Sequence, residues 1–387
     1  MRVLRTLPTT RLLALIAAAA TVLVAGAAIA LAATGGGPKP PAKPLAQAVH
    51  SALAAPQPAG ITARIRFTNN LLPTGALTGQ TGSALLSGAS GRLWARIDGR
   101  GRLELQSDAG DVQIVWTPSL VTVYDASSNT VYRFARPTVK PNALHGSTTM
   151  PSLSQITSVL TQLGKYWTVS SATPTNVGGQ PAYDVRVTPK TSAGLLGAVE
   201  LAWDATHGVP LKLAVYARGS SAPVLELEAT QVSFGAVPMG DVAVTPPAGA
   251  HVVDVPTAGG NGAQKTTPVT GVGAVQAAVP FRLAAPAKLG AMPRSDVRLV
   301  GAGDSKGALL VYGEGLGAVA VFEHATKAGA SNGPWTALPT VAIAGATGHE
   351  LSTPLGTVVT WQRGGVTYVL AGSVTAAVAQ ADAAAVG

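Results

Sequence analysis

The chain has 387 residues, of which 47% are hydrophobic and only 12% charged. That is longer than one ordinary domain and too apolar for a chain disordered throughout. Cysteine is absent, which excludes disulfide staples, thiol catalysis, cysteine-ligated zinc, iron–sulfur clusters and a cysteine acyl anchor. The net charge of +9 belongs to one end: nine basic side chains and no acidic ones precede Asp98, while 18 of each cancel from there onward. A nucleic-acid binder would show a basic face with stacking aromatics or a known module. Neither is present, and no nucleic-acid partner is expected.

The chain opens on a membrane address. Arg2, Arg5 and Arg11 precede residues 12–33, which carry no charge. A helix there would be roughly 33 Å long, enough to cross a bilayer core. Ala30-Leu31-Ala32 also reads as a small-x-small cleavage signature, so a retained anchor within 1–34 and a cleaved signal peptide both stay open. Either way the arginines stay inside and everything after Thr34 is exported. Residues 35–44, GGGPKPPAKP, read as a stiff, partly polyproline spacer holding a body off the membrane.

Residues 45–55 form an amphipathic helix, with Leu45, Val49 and Leu53 at helical spacing. The period then changes to two. Ile61, Ala63, Ile65 and Phe67 share one face of a strand while Thr62, Arg64 and Arg66 share the other; the two arginines read as a solvated sheet face. Strands follow at 91–97, 102–107, 111–117, 120–125 and 130–135, separated by Asp98-Gly99, Ala109-Gly110, Thr117-Pro118 and the 127–129 turn. Such short connections make an antiparallel meander. No βαβ rhythm appears, which argues against a doubly wound nucleotide-binding sheet.

A long polar loop at 137–150 leads to a helix at 152–163. Its stripe of Leu153, Ile156, Val159, Leu160 and Leu163, between Pro151 and Gly164, suits a lid across a sheet. Strands resume at 182–188, 197–204, 210–217 and 223–234, with one face dry and the other wet. A sheet with a long apolar face curls on itself, accepts helices or holds an apolar ligand. One apolar parity per strand gives the expected lining of such a pocket: Ile61, Ile65, Phe67, Leu93, Ile97, Leu103, Leu105, Ile114, Trp116, Val121, Val123, Ile156, Leu160, Val185, Leu201, Trp203, Leu213, Leu225 and Leu227.

The ordered series GRLWARID, GRLELQSD, DVQIVW, LVTVYD, TVYRF, helix, PAYDVRVTP, GAVELAWDATHGVPLKLAVYA and LELEATQVSFG resembles the LolA/LolB-like superfamily of outer membrane lipoprotein carriers. It looks more like periplasmic sigma-E regulators of the MucB/RseB type. The Leu201-Ala202-Trp203-Asp204 strand end, restarting at Gly208-Val209-Pro210-Leu211, is the most telling piece. The resemblance covers about residues 45–253. It implies an α+β fold: a half-closed, strongly curved antiparallel β-sheet, an unclosed barrel with a helical lid, binding acyl chains or lipidated partners in its hollow.

Residues 254–280 read as a linker. Beyond it, strands at 295–300, 308–312, 318–324, 340–344, 357–362 and 366–371 and a helix at 375–386 make a small α+β domain over 281–387. The Arg363-Gly364-Gly365 turn signals a hairpin. This order, with Leu310–Phe322, resembles the C-terminal domain of the same regulators, in which both domains hold a membrane anti-sigma factor.

No catalytic, metal or cofactor site is expected. The six histidines are scattered, His207 and Asp204 read as turn residues, and Gly313–Gly317 lies between strands with no helix to make a phosphate cradle. Trp94, Trp116 and Trp203 read equally as core or pocket wall. The whole reads as a non-enzymatic, extracytoplasmic, membrane-tethered protein that holds an acyl chain or lipidated partner as a carrier or envelope-stress sensor. A negative regulator gripping an anti-sigma factor and a scaffold with a filled barrel are the alternatives.

Overall fold

The structure is a computed structural model and describes residues 37–71, 84–136, 151–255, 268–301, 303, 306–326, 335 and 338–386. The apolar stretch at 12–33, the polar loop at 137–150 and residues 256–267 of the expected linker lie outside the described residues, while the linker's first two residues, Asp254 and Val255, belong to a strand. Among the described residues no helix is long and apolar enough to cross a membrane.

Helix α1 (Leu45–Ala54) leads into β1 (Gly60–Asn69). One turn of helix, α2 (Ala84–Ser87), precedes a meander of β2 (Ala89–Arg96), β3 (Gly101–Ser107), β4 (Gly110–Trp116), β5 (Leu120–Asp125) and β6 (Thr130–Ala135). Helix α3 (Leu153–Leu163) is followed by β7 (Trp167–Val169), β8 (Thr173–Val177), β9 (Gln180–Pro189), β10 (Leu196–Asp204), β11 (Pro210–Ala217) and β12 (Pro223–Phe234). After α4 (Met239–Val242), β13 (His251–Val255) runs parallel to β6 at the sheet edge.

These strands form one sheet of 13, in the order β13-β6-β5-β4-β3-β2-β1-β12-β11-β10-β9-β7, with β8 on β9. The pairing of β1 with β12 joins the two halves. The architecture is a curled half-barrel with few helices, so the expected α+β class is in fact mostly β. A bulge in β12 skips Thr230 opposite Arg64 and Ile65. Leu227 and Ala229 before it and Val232 and Phe234 after it therefore share one face despite opposite parity.

Helix α3 begins with a capping box. The Ser152 hydroxyl accepts from the Gln155 N–H at 3.3 Å, and the Gln155 side chain accepts from the Ser152 N–H at 2.7 Å. These bonds satisfy two otherwise orphaned groups at the helix start. Helix α3 packs against α1 and buries Ile156.

A second sheet of eight strands follows α5 (Val272–Ala278). Its members are β14 (Lys288–Leu289), β15 (Met292–Val300), β16 (Gly307–Tyr312), β17 (Val319–Ala325), β18 (Thr340–Ile343), β19 (Ala346–Thr353), β20 (Gly356–Arg363) and β21 (Val366–Gly372), and helix α6 (Ala376–Ala385) ends it. This body has its own core, built around Leu310, Tyr312, Val321, Val359 and Leu370. Val275 of α5 is fully buried in it, so the later part of the segment read as a linker belongs to this domain. The two bodies meet where the Leu195 N–H donates to the Ser373 hydroxyl at 2.8 Å.

The expected spacer is also docked. The Tyr183 hydroxyl donates to the Pro41 carbonyl at 2.6 Å, and the Asn176 amide donates to that of Pro38 at 2.9 Å. From Gly37 onward the chain lies on the body and does not hold it at a distance.

Candidate functional site

Register shows which side chains face inward. Ile65 opposes Ala229, Phe67 opposes Leu227, and Leu227 opposes Leu213, which in turn opposes Leu201 and then Val185. On the other flank Leu93, Leu103, Ile114 and Val123 stand in one row. These rows form a continuous apolar inner face, and the helices divide it into three parts.

At the β9–β10 end α1 lies on the face. Ala48, Tyr183, Val185 and Trp203 are buried together, with Leu201 half-buried beside them. The close approach depends on Gly208, at φ +68°, where a Cβ would overlap the Ala52 carbonyl of α1. At the opposite corner α2 inserts fully buried Ala84 among Leu105, Val112 and Phe67.

Between the two covers lies an open trough of about 250 Å³. Its floor and walls come from β1–β5, β11 and β12, with Ile61, Leu103, Trp116, Leu211, Leu227 and Val232 prominent. Trp116 lies flat against Gly101, where any Cβ would overlap the indole; the missing side chain lets the ring form the wall and leave the space open.

Eight of the nineteen expected lining residues meet in the trough: Ile61, Ile65, Leu93, Leu103, Ile114, Trp116, Val121 and Leu227. Phe67, Leu105 and Val123 belong to the same apolar cluster but do not line the opening. Val185, Leu201 and Trp203 share the face and are capped by α1. Leu213 and Leu225 are half-buried on that face, outside the lining.

Three expectations are corrected. Ile97 lies past the end of β2 in a turn and is 62% exposed. Ile156 and Leu160 do not line the trough. Helix α3 is not its lid, because α3 packs against α1 and buries Ile156 rather than facing the open floor.

Sequence reasoning missed Ala63, Val209, Pro210, Leu211, Ala229, Val232 and Arg136. Ala63 stands on the expected dry face of its strand but is absent from the expected lining, and Ala229 is too small to mark a face. Val232 was hidden by the bulge, although the consecutive polar pair Thr230-Gln231 breaks the alternation and signals it. Arg136 continues the parity of Phe134, which opposes Val121.

The outer face is wet and ion-paired. Glu200 binds Arg186 at 3.0 Å and Lys212 at 2.5 Å. Burial, reinforced by the Glu200 charge, pushes Asp184 up to about 6. Burial opposes ionisation of Glu200 as well, but its bonds to Lys212 hold it below its ordinary value. Trp94 is on this side, with the Arg102 guanidinium 5.0 Å above its ring. Asp204 closes the β10–β11 turn as expected, accepting the Thr206 N–H at 2.8 Å. No cluster that could hold a metal ion occurs among the described residues.

A curled sheet with a dry, open inner face has the concave, mostly apolar form of a ligand cleft. No family model matches the chain, and no curated protein matches its sequence. Among solved structures it is similar to MucB in complex with MucA(peri), at 17% identity over 88% of this chain and 95% of that one, with a TM-score of 0.41. It is similar to the Pseudomonas aeruginosa MucA/MucB complex at 18% identity, 88% and 94% coverage and a TM-score of 0.42. It is also similar to the LolA superfamily protein NE2245 from Nitrosomonas europaea, at 10% identity, 52% and 99% coverage and a TM-score of 0.21. The geometry of the trough, not these likenesses, carries the functional reading.

Proposed function

We propose that the protein is a non-enzymatic, extracytoplasmic, membrane-tethered binding protein whose trough holds an acyl chain. The observation that carries this is an apolar inner face left uncovered between two helical caps. Burial of a guest there supplies about 0.8 kcal/mol per methylene removed from water. The cavity, about 250 Å³, is just below the ~300–1,000 Å³ usual for ligand clefts, which favours one slender chain over a bundle of them. The chain belongs either to a free lipid or to a lipidated partner.

The uncharged stretch at 12–33 supports the tether, and the docked spacer then brings the body close to the membrane. The second domain supports the finer reading, in which loading alters contact with a single-pass membrane partner such as an anti-sigma factor.

Native mass spectrometry of the full chain, released gently from the membrane, tests the binding. We expect a bound mass of one amphiphile that disappears under denaturing conditions. Leu103→Asp places a carboxylate on the trough floor and should abolish that mass while the protein still melts cooperatively. Unloaded wild-type protein, or equal loading of the variant, contradicts the reading.

A further inference from the structure

Among the described residues fifteen line the trough, and of these Arg136 alone is charged. Arg136 is half-buried at the rim, and a cation beside an apolar wall keeps its free donors for water or for an anionic group. One edge of this guanidinium is occupied: Nη1 donates to the Thr117 carbonyl at 2.9 Å, while the Arg136 N–H donates to the Ser119 carbonyl at 2.8 Å. These bonds fix the residue at the β4–β5 turn, beside the Trp116 wall. Among the described residues no carboxylate lies within ion-pair distance of it, although Arg66, Arg96, Arg100, Arg102, Arg186 and Arg298 each have one. Residues 137–150, which follow it, contain no Asp or Glu.

Arg136 follows the last residue of β6, at one end of the arc of strands that line the trough, and Leu211 of β11 is at the other. Seven inter-strand steps of about 4.8 Å separate them, roughly 34 Å along the curve. The far end is wholly apolar, with Val209, Pro210 and Leu211. The site thus has a cationic end and a greasy end.

We infer that the trough takes a single-chain amphiphile with an anionic head, a long-chain carboxylate in the first instance, and that Arg136 holds the head while the tail runs toward β11. This rests on the proposed acyl-binding function and narrows it by ligand class. An arginine fork matches a carboxylate through two parallel hydrogen bonds, which a lysine cannot reproduce.

The test is equilibrium binding of palmitate and of hexadecanol to the full chain held in amphipol, for wild type, Arg136→Gln and Arg136→Lys, with thermal melts alongside. Wild type should prefer palmitate. Arg136→Gln should weaken palmitate about ten- to a hundredfold and leave hexadecanol within about threefold of wild type, with Arg136→Lys in between. Palmitate binding to wild type should weaken as the carboxyl is protonated at low pH, and the hexadecanol curve should stay flat. If both ligands weaken together in Arg136→Gln, the arginine only supports the fold and the inference is overturned. If neither weakens, it is overturned while acyl binding stands. If wild type binds neither ligand, acyl binding itself fails, and the inference with it.

Discussion

Gly101 and Trp116 show how much of the trough depends on one absent methyl group. The indole occupies the place a Cβ would take, so Gly101→Val must displace the ring. The inward direction is the open one. We expect this variant to lose bound amphiphile, to blue-shift tryptophan emission as Trp116 enters the trough, and to cost about 1–3 kcal/mol of stability through overpacking. Unchanged loading and emission would show that the wall tolerates a side chain there.

Glu323 lies at the same scale in the second domain. Its side chain is fully buried, accepts the Ala284 N–H at 3.0 Å through Oε2, and is pushed by burial up to about 7. The folded state therefore holds a proton that the unfolded chain releases near its ordinary value of 4.5. The stability this gives is complete below about pH 4.5 and is lost as pH rises to about 7, a change of about 3 kcal/mol. Glu323→Gln cannot ionise, so its advantage over wild type should grow across that window and then level off. Parallel urea melts from pH 4 to 8 measure the difference. A constant gap would mean that Glu323 does not titrate there.

At the scale of elements, α1 decides which part of the inner face is open. Ala48 is 1% exposed against Tyr183 and Trp203. Ala48→Asp would bury an unpaired charge and should destabilise the first domain by about 3 kcal/mol or more, with Trp203 becoming accessible to an aqueous quencher. A stable variant with Trp203 still shielded would mean that α1 is not needed as a cover.

The same elements show what the sequence could reveal. Alternation marked β1–β6 and β9–β12 closely, because each has one dry and one wet face. It could not mark β7, which has three residues, or β8, which is short and interrupted by polar Thr and Asn and a Pro, nor β13, whose exposed residues depend on an edge in a distant part of the chain. Parity placed most of the inner face correctly. It could not tell which inward residues a helix would cover, since that is set by how α1 and α2 dock. The stripe on α3 gave a helix but not its partner; an amphipathic face is equally satisfied by another helix or by a sheet.

At the scale of the whole molecule, two sheets with separate cores meet at the Leu195–Ser373 hydrogen bond, and the larger one has an apolar face left open. That opening is the central claim, and a heavy-atom guest reports on it most directly. Crystals of the protein soaked with a terminally brominated long-chain alkane should show an anomalous bromine peak inside the trough, within contact of Ile61, Leu103 or Leu227. The peak should disappear in Leu103→Asp. A trough that stays empty while bromine settles elsewhere, or walls that have closed on one another in the crystal, would contradict the account.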